Sequence, residues 1–418
     1  MKQTVFWALI LLPFWSGAQN TLTLEECYQQ TAAHYPLMKQ SELIRTKNAL
    51  EVKSINKTNL PTIQLNAQAT YQSDVTQVPI EVPGFSVDPP NNDQYKATLD
   101  VNQVIYNGGK TSARANIKQA ENNTQEQQIE VSLYQLKQEV NAYYFTILQV
   151  QEQMALLASK SDVLAKHINE LQSGIANGAV LPASDQILKA EQLKIKQQIT
   201  GLKYQKRQYI NQLSALTGDT LANDVELQIP VNQIASNGIR PELKYYDLQQ
   251  QQLERSKTLI GKTNAPNIYA FAQGGYGNPG LNMLDNTFQP YYIVGVKLNW
   301  TVFDWNQSKT DRQALQVAQE MVENQKETFT FNTNRKLDEL QQEMDKNSEI
   351  IATDNEIITL REKVLTASES QFKNGVITAS DYIQELSNLF EAKTNKKTHE
   401  IQLAYAQANY NITQGTAQ

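Results

Sequence analysis

The chain has 418 residues, with 37 lysines and arginines against 43 aspartates and glutamates and a formal net charge of −6. That balance excludes a nucleic-acid partner, because binding a phosphate backbone rests on clustered cations. Only 40% of residues are hydrophobic, too few for the deep cores of two or three ordinary globular domains, so much of the fold must be thin or wet.

One cysteine, Cys27, and three histidines, His34, His167 and His399, supply no disulfide framework, metal cluster or Cys/His catalytic pair. No cofactor and no metal site is expected, and no acid, base or nucleophile stands out as enzymatic. At the N-terminus, Lys2 precedes an apolar run from Val5 to Trp15 and then Ser16, Gly17 and Ala18, the layout of a signal peptide over residues 1–18. The run is about 11 residues and is broken by Pro13, whereas a spanning helix needs about 20. Cys27 lies too far beyond that cut to be a lipid-bearing first residue. No later stretch is apolar enough for a transmembrane helix, so a mature chain that enters a membrane does so with strands.

The rest of the chain contains one plan twice. Pro36, Pro61, Ile63 and Tyr71 recur 205 positions later as Pro241, Pro266, Ile268 and Tyr276. Tyr95, Leu99, Val101, Ile105 and Tyr106 recur 197 positions later as Tyr292, Val296, Leu298, Val302 and Phe303. The expected layout is a first repeat over 19–216, a connector over 217–240 rich in Gly, Asn and Pro, and a second repeat over 241–418.

Each repeat opens with two strands. Ile63, Leu65, Ala67, Ala69 and Tyr71 alternate with polar residues, and so do Tyr95, Ala97, Leu99 and Val101. The expected strands are 62–73, 94–106, 267–277 and 291–303. Apolar-out, polar-in alternation over about ten residues suits a strand between lipid and a watery lumen, although a soluble sandwich would show the same period. Tyr71, Tyr95, Tyr276, Tyr291, Tyr292, Trp300 and Trp305 cluster near strand ends, as interface girdles do. Residues 75–94 read as an external loop. Gly275, Gly277 and Gly280 spell a dinucleotide fingerprint, but Pro279 stands where a long helix must begin, so the glycines read as a hairpin top.

A helical pattern follows each strand pair. From Ile129 to Ile175 apolar residues recur in alternating steps of four and three, the spacing of a coiled-coil seam. Helices are expected over 110–176, 184–216, 309–373 and 380–413, with Ser184 or Asp185 capping the second. A helix of some 63 residues reaches about 95 Å. In the third, Met344, Ile351, Ile358, Leu365 and Phe372 keep the seam while Asn347, Asp354, Arg361 and Ser368 take its alternate positions. Two readings fit that polar line: a two-sided surface helix, or a line facing water in a tunnel.

Four strands leave two open edges, and each unpaired backbone group in hydrocarbon costs several kcal/mol. Closure by copies of the chain is therefore required, and two, three or four copies give permissible barrels. The segments LTLEECYQQTAAHYPLM, LPTIQL and APNIYA, VIYNGG and VFDWN, and NGAVLPASDQI and NGVITASDYI closely resemble the TolC-type outer-membrane efflux channels, over almost the whole chain and in order.

The resemblance implies a mainly α fold with β: long antiparallel coiled-coil hairpins forming an α-barrel tunnel. It implies four strands per chain in a twelve-stranded trimeric transmembrane β-barrel, with internal duplication. It also implies a homotrimeric exit duct in the outer membrane that extends into the periplasm. The implied partners are outer-membrane lipid, a periplasmic adaptor (membrane fusion protein) and an inner-membrane transporter of the RND or ABC type. Hairpin ends of the family contact the adaptor and form the gate. Carried over by position, Gly178, Val180, Leu181, Gly375, Val376 and Ile377 would touch the adaptor, and Asp381, Gln384 and Asp185 would form the gate, where helix capping is the competing role for both aspartates. A secreted coiled-coil scaffold without a pore is the alternative reading.

Overall fold

A computed structural model describes residues 21–77, 89–176, 182–230 and 238–416. The expected signal peptide, most of the external loop, Gly178, Val180 and Leu181 lie outside the described residues. In chain order the elements are β1 (Thr21–Leu22), α1 (Leu24–His34), α2 (Leu37–Lys57), β2 (Thr62–Tyr71), β3 (Asp93–Tyr106), α3 (Lys110–Ala176) and α4 (Pro182–Thr217). They continue with β4 (Glu226–Leu227), α5 (Pro241–Ile260), β5 (Asn267–Asn278), β6 (Gln289–Asn299), α6 (Gln307–Lys373) and α7 (Ala379–Gln414). Adding 197 to the bounds of α3 and α4 gives those of α6 and α7, so the duplication seen in the residues is a duplication of elements. The chain divides into two compact units, to both of which α3 and α6 contribute.

The unit made of residues 39–132 and 241–331 is built on one sheet. Its strands lie in the order β2-β3-β5-β6, antiparallel throughout. The alternation is what sets the register: Leu65 pairs with Leu99, Leu99 with Gly274, and Gly274 with Tyr292, so the apolar residues share one face. That face is open, with Leu65, Tyr292 and Val296 all exposed. The outer edges of β2 and β6 have no partner strand among the described residues. The last strand is shorter than its sequence pattern. β6 stops at Asn299, which pairs with Asn267, the first residue of β5. Pro266, just before it, has no N–H to donate, so Trp300, Val302 and Phe303 leave the ladder.

The other unit holds two cores. In the first, Cys27 and Tyr28 of α1 pack with Val140, Tyr144, Ile147 and Leu148 of α3, Ile210 and Leu213 of α4, and Ile401 and Ala404 of α7. A capping box starts α1: Thr23 accepts from the Glu26 N–H, and the Glu26 carboxylate accepts from the Thr23 N–H. Two connector residues join it, because β1 and β4 pair in parallel, Thr21 with Glu226 and Leu22 with Leu227. The Tyr144 hydroxyl sits 3.1 Å from the Leu22 carbonyl oxygen and 2.8 Å from that of Gln228. The second core joins the seams: Leu164 and Ile168 of α3, Leu188 and Ile195 of α4, and Tyr382 and Leu386 of α7.

Two details correct the residue-level expectation. Pro182 opens α4, so Ser184 and Asp185 lie inside its first turn rather than capping it. Proline suits that first position, since its missing N–H would have had no helical partner. Within this chain the polar line of α6 is mostly covered: Asn347, Asp354 and Ser368 are buried, and Arg361 is half-exposed. α7 supplies partners to two members of the line, His399 Nδ1 standing 2.6 Å from the Asp354 carboxylate and Glu385 accepting from Arg361 at 3.3 Å, whereas Asn347 donates to Glu343 of α6 itself. The neighbouring apolar line is the exposed one, with Ile357, Leu360 and Val364 all open.

Candidate functional site

Chemistry-bearing residues gather at the α6–α7 hairpin end and on the polar face of the sheet. The hairpin end is made by backbone rules. Gly375 takes a left-handed φ of 73°, its N–H donates to the Phe372 carbonyl at 3.0 Å, and the Val376 N–H donates to the Gln371 carbonyl at 2.9 Å. Those two bonds satisfy orphan carbonyls at the end of α6. Thr378 then caps α7, accepting from the Asp381 N–H at 3.2 Å, while the Asp381 carboxylate accepts from the Thr378 N–H at 3.0 Å and its hydroxyl at 2.7 Å. Side-chain and then backbone hydrogen bonds from Thr378 hold the Asp381 carboxyl below its ordinary range.

Gly375, Val376 and Ile377 thus form one short turn, with Val376 exposed and Ile377 packed on the second core. Gln384 is exposed one turn along α7 and donates to Asn388 at 2.9 Å. Asp185 is placed differently from Asp381. It is the fourth residue of α4 where Asp381 is the third of α7, it is buried, and it accepts from Lys189 at 2.7 Å. The structure does not bring Asp185 into a cap like that of Asp381.

Behind the turn lies a charged and aromatic cluster that the residue pattern did not reveal. Tyr382 is buried, stacked on Phe372 with ring centroids 5.1 Å apart, and meets the His167 ring edge-on at 4.9 Å. His167 Nδ1 stands 3.2 Å from Glu170, and Lys373 bridges Glu369 at 2.9 Å and Glu170 at 3.7 Å. Lys160 reaches both Glu191 of α4, at 2.8 Å, and Ser387 of α7, at 3.0 Å. These contacts tie the α3–α4 hairpin to the α6–α7 hairpin with polar bonds, which can exchange with water more readily than an apolar seam. A cleft of about 570 Å³, lined by His167, Phe372 and the 374–378 turn, opens there.

On the sheet's polar face, Asp100 accepts from Asn66 at 2.6 Å, Thr98 at 2.9 Å and Gln273. The expected girdle aromatics Tyr71, Tyr95, Tyr276 and Tyr292 lie on the opposite, apolar face and are exposed. Phe288 stacks between two of them, 6.3 Å from Tyr95 and 5.6 Å from Tyr276. Trp300 is exposed but follows the strand. Tyr291 departs from the expectation. Adjacent residues in a strand point to opposite faces, so it shares the polar face and its ring lies over Gly275, where any side chain would overlap it. Lys96 Nζ sits 5.4 Å from the centre of that ring. No group of three His, Cys, Asp or Glu able to hold a metal occurs among the described residues, and no described helix is long and apolar enough to cross a membrane.

The fold defines a class: paired strands carrying two long helical hairpins, as in solved bacterial outer-membrane channels. CusC matches with a TM-score of 0.68 at 9% identity, covering 94% of this chain and 92% of that one. VceC from Vibrio cholerae matches at 0.64 and 14%, over 94% and 95%. The CmeC channel of Campylobacter jejuni matches at 0.64 and 12%, over 100% and 94%. No curated protein matches in sequence.

Residues 27–219, just under half of the chain, match the outer membrane efflux protein family, which together with the fold points to the outer membrane. The family is one of channels rather than of enzymes.

Proposed function

We propose that three copies of this chain close a twelve-stranded barrel and form a passive exit duct without catalytic activity. Its periplasmic end would be shut by the hairpin tips and opened by an adaptor protein that links it to an inner-membrane transporter. The observation that carries this is the four-stranded sheet with an open apolar face, a polar face and two edges unpaired among the described residues. In hydrocarbon such edges are untenable, and closure with sister chains satisfies them while enclosing the Asp100 face around water.

The exposed line of Ile357, Leu360 and Val364 supports lateral neighbours along the helices as well. At the tip, Val376 and the turn around it offer an apolar surface for an adaptor, and three Asp381 carboxylates would form a ring that attracts cations and repels anions. Planar bilayers test the reading. Purified protein should give cation-preferring conductance that rises several-fold when Lys160→Met loosens the link between hairpins. A protein that inserts no pores in either form would refute it.

A further inference from the structure

Between β6 and α6 the chain makes a turn that its duplicate makes with different residues. In the first copy the left-handed positions are Gly108, φ 66°, and Gly109, φ 77°; 197 residues on they are Trp305, φ 54°, and Asn306, φ 64°. Glycine adopts that backbone freely and asparagine tolerates it, but a tryptophan there is strained. Residues held in such backbone by the structure around them cluster at ligand-binding and active sites. The indole is not serving a core, since Trp305 is 86% exposed and touches Phe303 edge-on at 4.8 Å, with Phe303 and Trp300 also exposed.

The next residue, Asn306, lines a cleft of about 530 Å³ together with Asn264, Asp304, Lys257, Lys309 and Arg312. Lys309 falls in the first turn of α6 and Arg312 just beyond it, where the helix dipole disfavours cations, so neither serves the helix. Neither has a carboxylate within ion-pair distance among the described residues, and the Arg312 guanidinium lies in space left by Gly261. The carboxylate in the cleft, Asp304, is spent on the turn. It accepts from the Asn306 and Ser308 N–H groups, each at 3.1 Å, and from Asn264 and the Ser308 hydroxyl.

We propose that Trp305 with Lys309 and Arg312 forms a binding site for an anionic glycerophospholipid of the inner leaflet, the indole lying at the ester level and the two cations on the phosphate. The inference rests on the strands spanning the outer membrane. Charge complementarity singles out this occupant: aromatic side chains beside unpaired cations at the end of a membrane strand match an anionic headgroup above acyl chains.

Fluorescence quenching tests it, using full-length protein in uncharged detergent micelles doped with brominated phosphatidylglycerol or brominated phosphatidylcholine. The difference between wild type and Trp305→Gly isolates the Trp305 signal, and Gly108 shows that glycine makes the same turn, so that variant folds. Phosphatidylglycerol should quench Trp305 at several-fold lower mole fraction. The Lys309→Gln/Arg312→Gln double substitution should erase the preference, by about fivefold for each charge removed. Equal potency of the two lipids in wild type, or a preference that survives the double substitution, overturns the site. Absence of quenching by either lipid overturns it and the membrane placement together, and bilayer conductance reports on that placement separately.

Discussion

At the level of single residues, burial and hydrogen bonding set the chemistry that remains available. Burial, reinforced by the Glu26 carboxylate, pushes the Cys27 thiol up to about 12. At pH 8 only about one molecule in ten thousand carries the reactive thiolate. A maleimide should therefore leave the native protein unlabelled over hours and label it fully in guanidinium, as read by mass. Asp304 lies at the other extreme: hydrogen bonds from Ser308 and then Asn264 hold its carboxyl at about 2, against an ordinary 3.8. Because the folded value is the lower one, its stabilising contribution is complete above about pH 4 and is lost as pH falls through about 2. Hydrogen exchange at the start of α6 should speed up across that window in wild type and should already be fast in Asp304→Ala at neutral pH. The sequence showed Cys27 to be solitary but could not show it sealed. Trp305 was readable as an interface aromatic, whereas its left-handed backbone was not, because only the comparison with Gly108 in the folded chain exposes the strain.

Among elements, periodicity was legible where one face decides the packing and illegible where two helices share polar partners. The strand alternation gave four strands, and the folded register puts Leu65, Leu99 and Tyr292 on one side, as that alternation requires. The ends were harder to read, since β6 stops at Asn299 for lack of a donor in Pro266, a property of its partner strand rather than of its own residues. Asn347 and Asp354 of α6 read as solvent-facing because polar residues usually are; Asp354 is buried against His399 of α7, far along the chain, and Asn347 turns back on Glu343 of its own helix. The tip pattern around Asp381 suited a cap, and the fold supplies Thr378 as the residue it completes. Replacing Thr378 by alanine removes both bonds of its hydroxyl, leaves the one from its backbone N–H, and should weaken the start of α7 by about 1 kcal/mol. Exchange rates confined to the first turn of α7 would measure it. Leu386 is fully buried in the core joining the two hairpins. Leu386→Ala should cost about 2–5 kcal/mol and lower the midpoint of chemical unfolding, whereas Leu360→Ala on the exposed line should leave the isolated chain unchanged and weaken only its association.

For the molecule as a whole, the duplicated order of elements was the most legible feature, since a repeat is visible without knowing what either copy does. The need for sister chains was legible too, from four strands with two open edges, whereas the surfaces they would cover are visible only in the folded chain. Among the described residues, a sheet face, two strand edges and a helix line of isoleucine, leucine and valine have no cover. Those unfinished strand edges bear on how the protein comes into being. If copies close the barrel as proposed, each chain carries until then a template to which any extended polypeptide can add, and the last step of folding is a meeting between molecules rather than a rearrangement within one. Its yield should depend on the local concentration of sisters and on how long escorts in the periplasm shield each strand border. Scarcity would favour misassociation over completion.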